Sequence, residues 1–297
     1  MQDKHLNISA GVASVSVATL LVIAKIWALS VTGSLSIAAS LADSALDLLI
    51  ACAGLLAIYY AARPPDKDHT FGHTSAEDLA ALAQSVFILI SAAVIAVTAV
   101  RRLLATTPHQ MTAEGAGVAV MLLSIAATIA LVLWQRYVAR KTGSKVVSAD
   151  SLHYLGDLIP NIGAICALLA SSLLGFQHLD SIVALVAAAL LVLGALNIGK
   201  SAWDALMDRA APPDMIAAIE TMAQEMPGIY AYHDLKTRMA GSKPFVNIHI
   251  EVDGDQTLRE AHAISADLKR QILAAYPNAD VIVHKDVAHE ADKPPRD

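Results

Sequence analysis

Apolar positions dominate the first two thirds of the chain in six runs, roughly 8–30, 34–61, 79–104, 114–138, 146–174 and 179–204. A helix crossing a bilayer needs about 20 mainly apolar residues, and each run meets that length. Short connections separate the runs, except for the polar stretch ARPPDKDHTFGHTSAED between the second and third. The pattern predicts six transmembrane helices with both chain ends on one side. Basic residues decide which side. The 2–3 and 4–5 connections carry Arg63, Lys67, Arg136, Arg140, Lys141 and Lys145, whereas the opposite ends carry only Arg101 and Arg102. The positive-inside rule therefore places the termini and the 2–3 loop in the cytoplasm.

Beyond residue 208 the pattern changes. Residues 209–297 hold 10 of the 21 Lys and Arg and 14 of the 27 Asp and Glu, in under a third of the length. That marks a soluble domain over 209–290, entered through RAAPPD, with a frayed tail at 291–297. DMIAAIETMAQEM has helical period. HDLKTRMAG and FVNIHIEVDG alternate like paired strands around GSKP, TLREAHAISADLKRQILAAY is amphipathic, and ADVIVHKDV reads as a third strand. The order α-β-β-α-β predicts a small α+β layer of ferredoxin or metallochaperone type, with helices on one face of the sheet.

Composition agrees with a membrane protein: 297 residues, 56% hydrophobic, 16% charged, mean hydropathy +0.53. A formal charge of −6 with no basic run gives no nucleic-acid partner. Cys52 and Cys166 lie in apolar runs without a CxxC spacing and read as packing residues. The N-terminal apolar run is too long for a signal peptide and reads as the first span.

Against that background the acidic residues inside the spans need an explanation, because a charge at a helix centre costs ~2.5–3.5 kcal/mol on insertion scales. Asp43 and Asp47 in ADSALDLLIA stand four residues apart on one helix face. The fifth span holds a second such pair, His153 and Asp157. No Lys or Arg lies within either span to neutralise them. Two pairs from two helices can converge into one mixed N and O ligand set, which zinc accepts tetrahedrally. Pro160 frees a carbonyl near Asp157 and permits a bend. In the polar loop, Asp66, His69 and His73 place a carboxylate and two imidazoles within eight residues. In the tail, His284 and Asp286 share a strand face, and neighbouring strands can bring them to His249 and His233.

The motifs SLADSALDLL, DKDHTFGHTSAEDLAALAQS, ADSLHYLGD, LMDRA, HDLKTR, NIHIEVDG and VIVHKD, in this order, resemble the cation diffusion facilitators. These are proton-coupled exporters of divalent metals, and the chain is most similar to their bacterial YiiP-type zinc and iron members. The resemblance spans essentially the whole chain. It implies an inner-membrane homodimer, Asp43, Asp47, His153 and Asp157 as the transport tetrad, and Asp66, His69 and His73 as a loop site. It further implies cytoplasmic-domain sites at His233, His249, His284 and Asp286, with His262 as an additional ligand. A histidine at position 153 goes with zinc or cadmium in that family; iron(II) and manganese stay open. One position departs from the pattern. Where such relatives carry a lysine that pairs with the aspartate after the sixth span, this chain has Ser75, although Asp208 is retained. Arg209 is the nearest substitute. Two rival classes use similar residues: a metal-sensing membrane receptor, and an intramembrane aspartyl protease, which needs its aspartates on different helices. No P-loop and no phosphorylation motif is present, which excludes an ATP-driven pump, and the chain is expected not to be an enzyme.

Overall fold

The structure, a computed structural model, describes residues 2–32, 35–104, 115–174 and 179–289. It forms two compact units, residues 1–203 and 204–297. The predicted tail at 291–297 lies outside the described residues.

The first unit contains six long helices: α1 (Gln2–Thr32), α2 (Leu35–Ala61), α3 (Ser75–Leu104), α4 (Gly115–Thr142), α5 (Lys145–Leu174) and α6 (Leu179–Leu206). Among the described residues, five contain windows long and apolar enough to cross a membrane; α5 falls outside that set. Its 30 residues nonetheless extend about 45 Å at 1.5 Å per residue. It carries Asp150, Ser151 and His153 inward, all buried. Large apolar side chains such as Leu49, Leu56, Leu133 and Leu193 point outward and are exposed, as a lipid-facing surface requires.

Helix α1 packs along α2 and α4, α5 along α4 and α3, and α2 reaches both α3 and α5. Small residues let the backbones approach: Ala10, Ala81 and Ala202 are nearly or fully buried in one cluster, Ala92 and Ala195 in another. Gly156 belongs to the same logic. A β-carbon there would stand 3.0 Å from the Leu191 side-chain methyls of α6, so glycine relieves a tight contact against the site-bearing turn of α5.

The α4–α5 turn shows how sequence sets the ends. Gly143 has φ 69, and its N–H donates to the Ala139 carbonyl at 2.9 Å, closing α4. Ser144 then receives the Val147 N–H on its hydroxyl at 3.4 Å, opening α5. Arg140 and Lys141 in the last turn of α4 complement its dipole.

In the second unit, α7 (Pro213–Glu225) precedes β1 (Ala231–Ala240) and β2 (Lys243–Val252), then α8 (Leu258–Ala275) and β3 (Asp280–Val287). The order is the predicted one, with Pro213 opening α7. Strand order is β1-β2-β3, antiparallel then parallel. Thr257 and Glu260 form a capping box at the start of α8. Its backbone hydrogen bond from Thr257 holds the Glu260 carboxyl below the usual range.

Alternation along β2 divides the sheet into two faces. Val246, Ile248, Ile250 and Val252 pack against Ile219 of α7 and Leu268 and Ile272 of α8. Burying each such side chain contributes about 1.5–3 kcal/mol. Asn247, His249 and Glu251 therefore occupy the face without helices.

Candidate metal centre

Contact between α2 and α5 brings the two intramembrane pairs together. Asp47, His153 and Asp157 each place one ligand atom within 4.8 Å of the others. His153 Nε2 lies 3.1 Å from Asp47 Oδ1, and the imidazole is buried. Its ring is fixed edge-on by Phe87 of α3, centroids 5.8 Å apart, and sits 5.5 Å from Tyr154. The Tyr154 hydroxyl accepts from Ser14 of α1 at 3.3 Å. Three helices thus hold the imidazole in place. Asp43 is exposed and stands outside the tight group, one helical turn away.

The structure adds a residue that sequence reasoning passed over. Lys25 of α1 donates from Nζ to Ser44 Oγ at 2.6 Å and to the Ser40 carbonyl at 3.1 Å, both on α2. Its charge is felt by Asp47, Asp157 and Asp43. The absence of Lys or Arg in the second and fifth spans is correct, yet the cation comes from the first. A lone lysine inside an apolar run was the available signal. Two more buried polar contacts support α5: Gln135 donates to Asp150 at 2.6 Å, and Lys145 donates to Asp78 of α3 at 2.7 Å.

The 2–3 loop folds Asp66, His69 and His73 into a second group, again within 4.8 Å. Asp66 Oδ1 accepts the backbone N–H of His69 at 2.7 Å and of Asp68 at 3.0 Å; its Oδ2 lies 3.2 Å from His73 Nε2. These hydrogen bonds, the His69 backbone first, hold the Asp66 carboxyl below the usual carboxylate range. His69 and Asp66 are exposed, whereas the His73 ring is buried edge-on against Tyr60, centroids 4.7 Å apart.

In the second unit, strand register lines up three histidines. His233 of β1 pairs across to His249 of β2, which pairs to His284 of β3. Ring centroids are 5.1 Å and 4.6 Å apart along this row. Asp286 sits within it: 2.9 Å from His249, 3.4 Å from His233 and 3.3 Å from His284. His233, His249 and Asp286 form the tight group, with His284 beside it. A register shift between His233 and Lys236, with Asp234 at φ 49, re-aims the end of β1 there. His262 lies exposed on α8, whose packed face covers the other side of the sheet, and joins no group among the described residues.

The hydrogen bond from His249 holds the Asp286 carboxyl below its usual range, with the neighbouring imidazoles adding to it. Asp286 therefore stays ionised until well into acid, and proton competition at this cluster falls on the imidazoles. Metal ligation needs the ligand atoms deprotonated, so a zinc ion held by this cluster would be displaced by protons as pH falls. Titrating zinc into the full chain carrying Asp47→Ala and Asp66→Ala isolates this cluster. His249→Ala is expected to lower its affinity at least about tenfold, in the range of losing one ligand contact. Unchanged affinity assigns the metal elsewhere.

Two family models cover nearly the whole chain. The cation efflux transmembrane domain matches residues 11–207, and the cation efflux protein cytoplasmic domain matches 211–287. The chain belongs to the cation diffusion facilitator family. It is 42% identical over 277 residues to the cation-efflux pump FieF of Cronobacter sakazakii, covering 93% of this chain and 91% of that protein. It is 40% identical over 278 residues to FieF of Serratia proteamaculans, covering 94% and 92%. The metal-bound C-terminal domain of the CzcD transporter from Thermotoga maritima matches 25% of this chain and 87% of that chain, at 27% identity and TM-score 0.24. As a facilitator of the FieF type, the chain is a multi-pass membrane transporter for divalent metal cations and not an enzyme.

The Ser75 departure has a local counterpart in the facilitator fold. Asp208, at φ 56, pairs with Arg238 of β1 at 3.0 Å. Arg209, the substitute suggested by sequence, bonds Asp204 of its own chain.

Proposed function

We propose that this facilitator exports zinc from the cytoplasm in exchange for protons, through one site built from Asp43, Asp47, His153 and Asp157. The observation that supports this reading is the convergence of Asp47, His153 and Asp157 from two helices within 4.8 Å. Such a group is costly inside a membrane unless a cation or protons occupy it. Asp43, one turn along α2, supplies the fourth ligand by a side-chain adjustment.

Exchange follows from the ligands themselves. Metal binding requires deprotonated carboxylates and a neutral imidazole, so each zinc ion arriving from the cytoplasm displaces protons. When the site faces the opposite side, protons compete for the same atoms and release the metal. An inward proton gradient then drives efflux without a separate proton pathway. One imidazole with three carboxylates suits zinc best; cadmium, iron(II) and manganese follow. The inner membrane with both termini cytoplasmic fits the charge distribution of the connections. The unit beyond residue 208 forms a homodimer, and the His233–His249–His284 row with Asp286 and the Asp66 loop group bind regulatory metal.

Two experiments test this reading. Uptake of zinc, iron(II), cadmium and manganese into proteoliposomes under one imposed pH gradient is expected to be fastest for zinc; equal or greater rates for manganese overturn the selectivity. Truncation after residue 208 is expected to remove the rise in transport rate with cytoplasmic metal, and full metal-responsive transport in the truncated chain contradicts the regulatory role.

A further inference from the structure

A cavity of about 340 Å³ lies between α4, α5 and α6, lined by Arg136, Arg140, Ser148, Ser151, Leu152 and Asn197. Arg136 and Arg140 stand at i and i+4 on one face of α4, and both are exposed. Neither has a carboxylate within ion-pair distance among the described residues. The cleft is thus positive and unneutralised, with hydroxyls and an amide as further polar groups.

Its depth in the membrane is marked by its surroundings. Trp134 and Tyr137 of α4 stack at 5.6 Å and are exposed, and Trp203 of α6 is exposed near the same end. Exposed Trp and Tyr mark the level of lipid head groups. Leu152 and Ile198 line the same cavity with apolar surface. Paired guanidinium groups, hydroxyls beside them and an apolar wall at head-group depth match one ligand chemistry: a phosphodiester carrying acyl chains.

We propose that this cleft seats the head group of an anionic phospholipid, with Arg136 and Arg140 clamping the phosphate and the acyl chains running along Leu152 and Ile198. Ser151 offers a hydroxyl to the phosphate and glycerol oxygens, while the Ser148 hydroxyl donates to the Ser144 carbonyl at 2.9 Å. Ser151 and Leu152 directly precede His153, so the seat is built on the helix that carries the transport site. The seat is independent of which metal is moved.

The test uses the full chain in phosphatidylcholine bilayers containing phosphatidylglycerol, extracted mildly, with retained lipid counted by native mass spectrometry. Wild type is expected to keep phosphatidylglycerol over phosphatidylcholine. Arg136→Gln/Arg140→Gln is expected to reduce that retention about 30-fold, at roughly fivefold per arginine. Arg136→Gln alone gives a smaller loss. Lys141→Gln removes a charge from the same helix end outside the cleft, where Lys141 lies over the Tyr137 ring, and is expected to retain the lipid. Equal retention in wild type and the double variant overturns the proposal. So does an equal loss in Lys141→Gln, which assigns the effect to bulk surface charge. Competition by soluble inorganic phosphate as effective as by the lipid also overturns it, since the seat then recognises the anion alone.

Discussion

Asp47→Ala abolishes metal flux and the proton movement that accompanies it, while the helical bundle stays folded. Asp47 is the α2 contribution to the tight group and faces His153 at 3.1 Å. Without it, His153 and Asp157 remain on α5 alone and no longer span two helices, so metal binding ceases to link α2 with α5. Losing one ligand of a metal site costs at least about 10–100-fold in affinity, and a transporter depends on that affinity in both facing states. The bundle survives because Asp47 is half-buried and α2 is held through Ala51 and Ile58 in the packed interior. Zinc flux assayed in proteoliposomes beside a melting curve checks both halves: normal flux in a folded variant removes Asp47 from the site.

Lys25→Met is the second large effect, and its sign depends on pH. Lys25 is a tethered cation beside three carboxylates, so removing it strengthens the field for any cation that enters. At an effective dielectric of about 20, one unit charge several ångström away is worth about 2 kcal/mol, some 30-fold in binding. Where the site is already deprotonated, at alkaline pH, zinc adds net positive charge and the variant binds it more tightly. Where each zinc displaces two protons, the net charge does not change and the difference between variant and wild type shrinks towards nothing. Turnover falls, because a site that holds its cation harder releases it more slowly. Lys25→Arg keeps the charge and is expected to keep wild-type affinity at both ends. Zinc isotherms at an alkaline and an acidic pH decide it; looser binding of Lys25→Met at the alkaline end contradicts the electrostatic role.

How much of this could be read from the chain varies with the kind of information each feature needs. Spacing along one element is legible: Asp43 with Asp47 and His153 with Asp157 declare a shared face through the helical period. The β1–β2 pairing was equally open, since GSKP stands between two alternating runs, and Ala240 pairs with Lys243 across the Gly241–Ser242 turn. Register between strands distant in sequence was not. That His233, His249 and His284 form one row follows from β3 joining β2 in parallel, which alternation alone does not specify. Lys25 escaped because each charged residue was weighed within its own span, whereas its partners, Ser40 and Ser44, are on the next helix. Helix ends moved outward for a related reason. The third helix begins at Ser75, not 79, because Glu77 and Asp78 favour its first turn, and Asp78 finds Lys145 of α5.

Two features of the family pattern take a local form here. His262 faces away from the histidine row of the sheet, because α8 packs on the opposite face through Leu268 and Ile272. Asp208 pairs with Arg238 and Arg209 with Asp204, all within the second unit. The charges at this junction are thereby satisfied within one chain.

The central claim is that one set of side chains holds either zinc or protons. Simultaneous recording of internal zinc and internal pH in proteoliposomes with an acidic interior tests it most directly. A zinc pulse outside is expected to produce zinc entry and a rise in internal pH with the same time course, both absent in Asp47→Ala. Zinc entry that proceeds unchanged with the proton gradient collapsed, and without any change in internal pH, would contradict it.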